Sequence, residues 1–177
     1  MALKATIFKA ELQIADMDRH YYGSHSLTIA QHPSETDERM MVRVLAFALY
    51  ADERLAFTKG ISTDDEPDLW LKSLSDEIEL WIELGQPDEK RLRKAAGRAR
   101  QVVIITYNSR SAAVWRNQMQ EALAKLDNVT VRALSNDTVE SLGKLAQKTM
   151  NLQCTIQDGE VSLGDDAQLV QVQFETL

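Results

Sequence analysis

Apolar and polar residues alternate most regularly between Pro67 and Gly85. Ile78, Leu80, Ile82 and Leu84 occupy every second position, and Leu69, Leu71 and Leu74 punctuate the segment before them. A period of two marks β-strands, so this stretch predicts a hairpin that turns at Ser75-Asp76. With the turn centred there, Leu69 faces Ile82 and Leu71 faces Leu80. The other face sets Asp68 opposite Glu83, Trp70 opposite Trp81 and Lys72 opposite Glu79. Directly opposed residues have Cβ atoms about 4.5–5.5 Å apart. Two carboxylates at that spacing repel, so they call for a divalent cation between them, a raised carboxyl pKa, or side chains splayed into water.

The same reading extends along the chain. Residues 4–14 alternate as a strand, Asp16 to Gly23 carries turn residues, and Ser24 to Ala30 returns, which predicts an N-terminal hairpin. His20, His25 and His32 gather around it without any metal-ligand spacing, so packing on the hairpin is their simplest role. Pro33 to Glu38 opens a helix with Ser34 as the expected N-cap, and Met40 to Ala51 is apolar apart from Arg43. Glu35, Arg39 and Arg43 are spaced by four and form one polar stripe. A charged stripe on an otherwise buried helix points to a polar cleft, which Glu38 at the helix mouth could approach. Thr58 to Glu66 reads as a loop with a short strand at Gly60-Ile61-Ser62.

After the hairpin, Gly85-Gln86-Pro87-Asp88 breaks the strand and starts a helix. Its apolar residues Leu92, Ala95, Ala96 and Ala99 recur at helical spacing, while Lys90, Arg91, Arg93, Lys94, Arg98 and Arg100 cover its other faces. Gln101 to Tyr107 is the continuous β-branched run of a strand buried on both sides. Ser111 to Leu126 reads as an amphipathic helix, Val129 to Leu134 as a strand and Asp137 to Lys148 as a helix, a rhythm that implies parallel pairing through crossovers. Met150 to Ile156 and Glu160 to Leu163 form a C-terminal hairpin around Asp158-Gly159, and Val170 to Phe174 adds a last strand. The expected class is α/β (α+β), a mixed sheet flanked by helices, in one domain spanning 1–177.

Composition narrows the function. The chain has 177 residues, enough for a sizeable core. Its net charge of -7 and pI near 5.0 argue against a basic, non-specific nucleic-acid binder while leaving room for a local basic face. Cys154 is the single cysteine, so there is no disulfide framework. No signal-peptide core and no apolar run of membrane length is present; the expectation is a cytoplasmic protein, monomeric or weakly dimeric. Neither a P-loop, a GxGxxG turn nor a nucleophile elbow occurs.

Four strings are distinctive together: the opening Met-Ala-Leu-Lys-Ala-Thr-Ile, His32 to Arg43, Glu66-Pro67-Asp68-Leu69-Trp70, and Trp81 to Lys90. They resemble the bacterial YaeQ family over nearly the whole chain. The resemblance implies a variation on the PD-(D/E)XK nuclease core. Pro67-Asp68 then matches the first element and Glu83 the second, as ligands of Mg²⁺. The lysine expected two residues after the second acid is replaced by Gly85. Lys94 or Lys90 from the following helix, Lys72 from the hairpin, or Gln86 as a water-orienting group could stand in, with Lys94 and Gln86 the preferred pair. Glu38, Arg39 and Arg43 would border the cleft. Two functions follow from the resemblance: Mg²⁺-dependent phosphodiester hydrolysis on nucleic acid, or a catalytically degenerate scaffold that binds nucleic acid or another protein.

Overall fold

The computed structural model describes residues 4–59 and 65–177; the strand expected at Gly60-Ile61-Ser62 lies outside them. In chain order the first elements are strands β1 (Thr6–Asp16) and β2 (Tyr21–Gln31), helix α1 (Asp37–Leu49), and strands β3 (Leu55–Phe57), β4 (Leu69–Lys72) and β5 (Ile78–Leu84). Helix α2 (Glu89–Arg98), strand β6 (Ala99–Thr106), helices α3 (Ser109–Gln118) and α4 (Gln120–Ala124), and strand β7 (Val129–Leu134) follow. Helix α5 (Asn136–Gly143) and strands β8 (Thr149–Gln157), β9 (Glu160–Gly164), β10 (Leu169–Val172) and β11 (Phe174–Glu175) complete the chain. The mixed α+β class is as expected, with the strands distributed over two mixed sheets. The chain divides into two compact units: residues up to Ala51 with Asp137–Gln173, and Asp52–Asn136 with Phe174–Leu177. Among the described residues no helix is long and apolar enough to cross a membrane.

The first unit holds a five-stranded sheet in the order β10-β9-β8-β1-β2. The N-terminal hairpin pairs antiparallel with Leu12 against His25, and β1 runs parallel to β8 with Leu12 against Leu152. Ala10, Leu12, Ile14, Leu152, Cys154 and Ile156 are buried on one face, while Glu11, Gln13, Asn151 and Gln153 on the other are exposed. The period of two therefore did identify a half-buried sheet here. Burial pushes the Cys154 thiol up to about 12, with the Asp16 carboxylate adding to the effect, so it behaves as a small core residue. In α1 every residue from Met40 to Leu49 is buried. The N-cap is Thr36, whose hydroxyl accepts the Arg39 amide at 3.1 Å. Ser34 is instead bonded to His32 Nδ1 at 2.7 Å, in a turn that precedes the helix.

The second unit holds a six-stranded sheet in the order β11-β7-β6-β5-β4-β3. Strands β5, β6 and β7 are parallel neighbours, as the strand–helix rhythm implied. Leu92 and Ala95 of α2 and Trp115 of α3 pack onto Trp81, Val102 and Ile104. This cover explains why Trp81 and Glu83, on the supposed polar face of β5, are as buried as Leu84. A strand with helices over it has no wet face. Long helices were overestimated. The segment 111–126 breaks at Met119, whose ψ of 2° flattens the turn, and the last helix ends at Gly143 rather than Lys148. The run 170–174 splits between the two sheets because the Gln173 amide donates to Thr138 Oγ1 at 2.9 Å instead of joining a ladder.

The central hairpin keeps the inferred register at Leu69–Ile82, Trp70–Trp81 and Leu71–Leu80. A bulge after Leu71 then sets Lys72 against Ile78 instead of Glu79. Leu92 is fully buried beside both tryptophans of its cluster. Leu92→Ala is expected to destabilise the chain by about 2–5 kcal/mol in urea unfolding. Val114→Ala, at a helix position 54% exposed, should stay within about 0.5 kcal/mol of wild type.

Candidate functional site

The two acids singled out by the hairpin register are both buried, Asp68 to 4% and Glu83 to 5% exposure. Each sits where β4 and β5 meet the loops that join them to their neighbours. Pro67 ends the incoming loop, and the Asp68 amide donates to the Ile82 carbonyl at 3.0 Å. Asp68 thus lies just outside the regular ladder. Its carboxylate turns across to β5, where Oδ2 accepts the Leu84 amide at 2.8 Å.

Glu83 lies on the same face of β5 as Trp81, two residues before it. Trp81 Nε1 donates to Glu83 Oε1 at 3.1 Å, and Arg91 Nε donates to Oε2 at 2.6 Å. Both carboxylate oxygens are therefore engaged. Burial raises the Glu83 pKa above the ordinary glutamate range; the Arg91 guanidinium and the Trp81 bond pull it down, and the Asp68 charge pushes it up. The influence of Asp68 shows that the two acids feel one another. Their neutralising partner is a guanidinium. Among the described residues no group of three or more His, Cys, Asp or Glu side chains converges to hold a metal ion. With Glu83 doubly bonded and Asp68 turned onto a backbone amide, the donor set as arranged does not fit a shared Mg²⁺.

Gly85 stands where the resemblance places a lysine. Its φ is +100°, and its amide donates to the Ile105 carbonyl at 2.9 Å. A side chain is disfavoured there by backbone geometry rather than by space, since an added Cβ would meet only the Tyr107 ring, 3.6 Å away at its hydroxyl. Gln86 Nε2 donates to the Tyr107 carbonyl at 2.6 Å, which holds the loop rather than a water. Lys94 Nζ meets Asp65 Oδ1 at 2.6 Å. Lys90 is exposed on the first turn of α2. Lys72 lies 4.0 Å over the Trp70 ring and 3.5 Å from Asp76. The opposed pair Trp70 and Trp81 meets edge to face at 6.5 Å, with Trp81 fully enclosed.

The cation that reaches the acids is Arg91, which sequence reasoning counted only among a basic helix's many charges. A signal for it was present. Asp88 is the N-cap of α2 and accepts the Arg91 amide at 2.8 Å, so Arg91 is fixed in the first turn, directly after the strand that carries Glu83. The helix start and the strand end are close because only a short loop joins them.

Glu38, Arg39 and Arg43 belong to the first unit. There the stripe closes on itself: Arg43 Nε and Nη2 grip Glu35 at 3.0 and 2.5 Å, and Arg39 Nη1 reaches the same carboxylate at 2.8 Å. Arg43 Nη2 also donates to the Ala30 carbonyl at 3.0 Å. A buried arginine needs this degree of satisfaction whether or not a cleft is nearby. Glu38 is exposed, with its chain against Gly143, where an added Cβ would come within 2.5 Å of its Cγ.

The family model described as YaeQ protein matches residues 1–174. The protein named Uncharacterized protein YaeQ in Escherichia coli (strain K12) is 49% identical over 172 residues, which is 97% of this chain and 95% of that protein. That of Salmonella typhi is 49% identical over 174 residues, 98% and 96% of the two chains. The crystal structure of YaeQ from Xanthomonas axonopodis pv. citri superposes with a TM-score of 0.93 at 50% identity, over 96% of each chain. That from Pseudomonas syringae gives 0.92 at 41% identity, over 97% of this chain and 94% of its own. The chain belongs to the YaeQ family.

Two outcomes follow from the site. Because the folded-state pKa of Glu83 is raised, its native form holds a proton that the unfolded chain has already lost. Wild-type stability relative to Glu83→Gln should therefore fall as pH rises from the ordinary glutamate range through the Glu83 pKa, then level off. Urea unfolding of both proteins between pH 4 and 7 measures it, and a difference that grows with pH would mean that Arg91 outweighs burial. Separately, Gly85→Ala should cost about 1–2 kcal/mol, the penalty of a Cβ in the left-handed region.

Proposed function

We propose that this YaeQ-family protein is a nucleic-acid-binding module built on a divergent PD-(D/E)XK-like hairpin, and that it binds without cutting. The observation that carries this reading is the Arg91 guanidinium on Glu83, 2.6 Å from the carboxylate that hydrolysis would need for a cation. Metal-assisted attack on phosphorus requires acids that hold the ion against the substrate and a base or amine near the water. Here one acid is bonded to arginine and indole, the other braces a strand amide, and Gly85 offers no amine. The Arg91 guanidinium offsets the Glu83 carboxylate but supplies no bound water to activate.

The binding half of the reading rests on α2. Lys90, Arg91, Arg93, Lys94 and Arg98 make it the one concentrated source of positive charge in a chain of net charge -7. Phosphate contacts by lysine and arginine position a nucleic acid without reading its sequence. A protein partner would call instead for an apolar patch, whereas the exposed positions of α2 are Lys90, Arg93, Lys94 and Arg98 with the acid Glu89 and Gly97.

The test uses the full chain with labelled DNA and RNA oligonucleotides in Mg²⁺ or Mn²⁺. The expected result is no cleavage, with binding that weakens as salt rises at a log–log slope of about −2, as for three neutralised phosphates on a single strand. Cleavage by wild type that Glu83→Gln abolishes would restore the Mg²⁺-dependent hydrolase. Salt-independent or undetectable binding would move the assignment to a protein partner.

A further inference from the structure

Arg91, Lys94 and Arg98 recur along α2 at i, i+3 and i+7, so they share one face of the helix. All three grip the same two residues. Arg91 Nη2 donates to the Glu66 carbonyl at 2.9 Å, Lys94 Nζ meets the Asp65 carboxylate at 2.6 Å, and Arg98 Nη1 donates to the Asp65 carbonyl at 2.8 Å. The Asp65 carboxyl is held below its usual range by the bond and charge of Lys94, with smaller help from Arg98 and Arg91. Two carbonyls and a carboxylate laid along a cationic stripe present oxygens as a phosphodiester backbone would.

The contacts differ in strength. Arg91 is anchored through its Nε to buried Glu83, so its Nη2 stays aimed at the stripe whatever lies there. Lys94 and Asp65 are open to solvent, with side chains 41% and 82% exposed. Exposed pairs of this kind hold weakly and are screened by salt. A strand carrying several phosphates would therefore outcompete one aspartate.

We propose that Asp65–Glu66 is a built-in competitor, which occupies the Arg91–Lys94–Arg98 stripe and gives way when a nucleic-acid phosphate backbone binds there. This inference rests on the nucleic-acid reading above. It makes the stripe the binding surface and the acidic segment the device that suppresses weak, non-specific association. Such suppression suits a chain whose basic helix would otherwise hold any passing polyanion.

Fluorescence anisotropy at low salt tests it, with the full chain and single-stranded DNA and RNA 20-mers of one sequence; inorganic polyphosphate is the backbone-free control. Asp65→Asn removes the carboxylate that Lys94 holds and should tighten oligonucleotide binding roughly two- to fivefold. Glu66→Gln changes net charge equally but keeps the carbonyl contact to Arg91, and should move affinity less. Lys94→Gln should weaken binding. In wild type, saturating oligonucleotide should speed amide hydrogen exchange in peptides covering Glu66 to Leu69. Equal tightening by Asp65→Asn and Glu66→Gln, or exchange unchanged on binding, would overturn the competitor while leaving the binding surface in place. Polyphosphate binding as tightly as both oligonucleotides would reduce the stripe to a general anion site and overturn the nucleic-acid specificity. No binding by wild type or Asp65→Asn would overturn the nucleic-acid reading itself.

Discussion

One guanidinium governs the centre of the second unit. Arg91 enters from the first turn of α2 and settles on Glu83, a carboxylate whose pKa burial raises. Without a cation there, two neighbouring buried acids would share a space that tolerates little negative charge. With it, Glu83 keeps its indole bond to Trp81, Asp68 is free to brace the Leu84 amide, and the end of β5 is held to the start of β4. The second prong of the same side chain reaches the Glu66 carbonyl and ties down the segment that leads into Pro67-Asp68. Hairpin, helix and incoming loop are thus joined through one side chain.

On the reading proposed above, one kind of cation stands where another would. A divalent ion polarises its ligands and activates water; a guanidinium fixes geometry and donates hydrogen bonds in directions set by its plane. The acids remain, but their roles become structural. The rest of α2 then acquires its interest. Of its remaining cations, Arg93 pairs with Glu89 at the surface, Lys94 and Arg98 lie against Asp65, and Lys90 is exposed. On the same reading, an acidic protein with one basic helix, much of it matched by its own acids, would attract polyanions selectively rather than indiscriminately.

The legibility of the chain followed the strength of each local signal. The N-terminal and C-terminal hairpins were readable because their inward positions alternate without interruption and their turns carry Asp-Gly or similar residues. Three consecutive pairs of the central hairpin were readable for the same reason, until the bulge after Leu71 displaced Lys72. Parallel pairing of β5, β6 and β7 followed from crossover rhythm. Helix lengths were less legible: Met119 and Gly143 end helices that periodicity alone would extend, because side-chain spacing says little about where backbone hydrogen bonds are surrendered. Ser34 was the expected cap and Thr36 is the actual one, since the cap is whichever residue the preceding turn leaves extended.

By itself the sequence determined the strands other than β3, which helix is basic, and that Asp68 and Glu83 lie near one another. These are consequences of period, turn chemistry and register, all of which act over a few neighbouring residues. Tertiary structure decided what the acids do. Whether a carboxylate faces a metal, a lysine or an arginine depends on the angle at which α2 leaves β5 and on the burial that raises the Glu83 pKa. Neither is encoded in spacing along the chain. Arg91, Lys94 and Lys90 are all cations of one basic helix, and the packing of Leu92 beneath it turns Arg91 toward Glu83 and Lys94 toward Asp65.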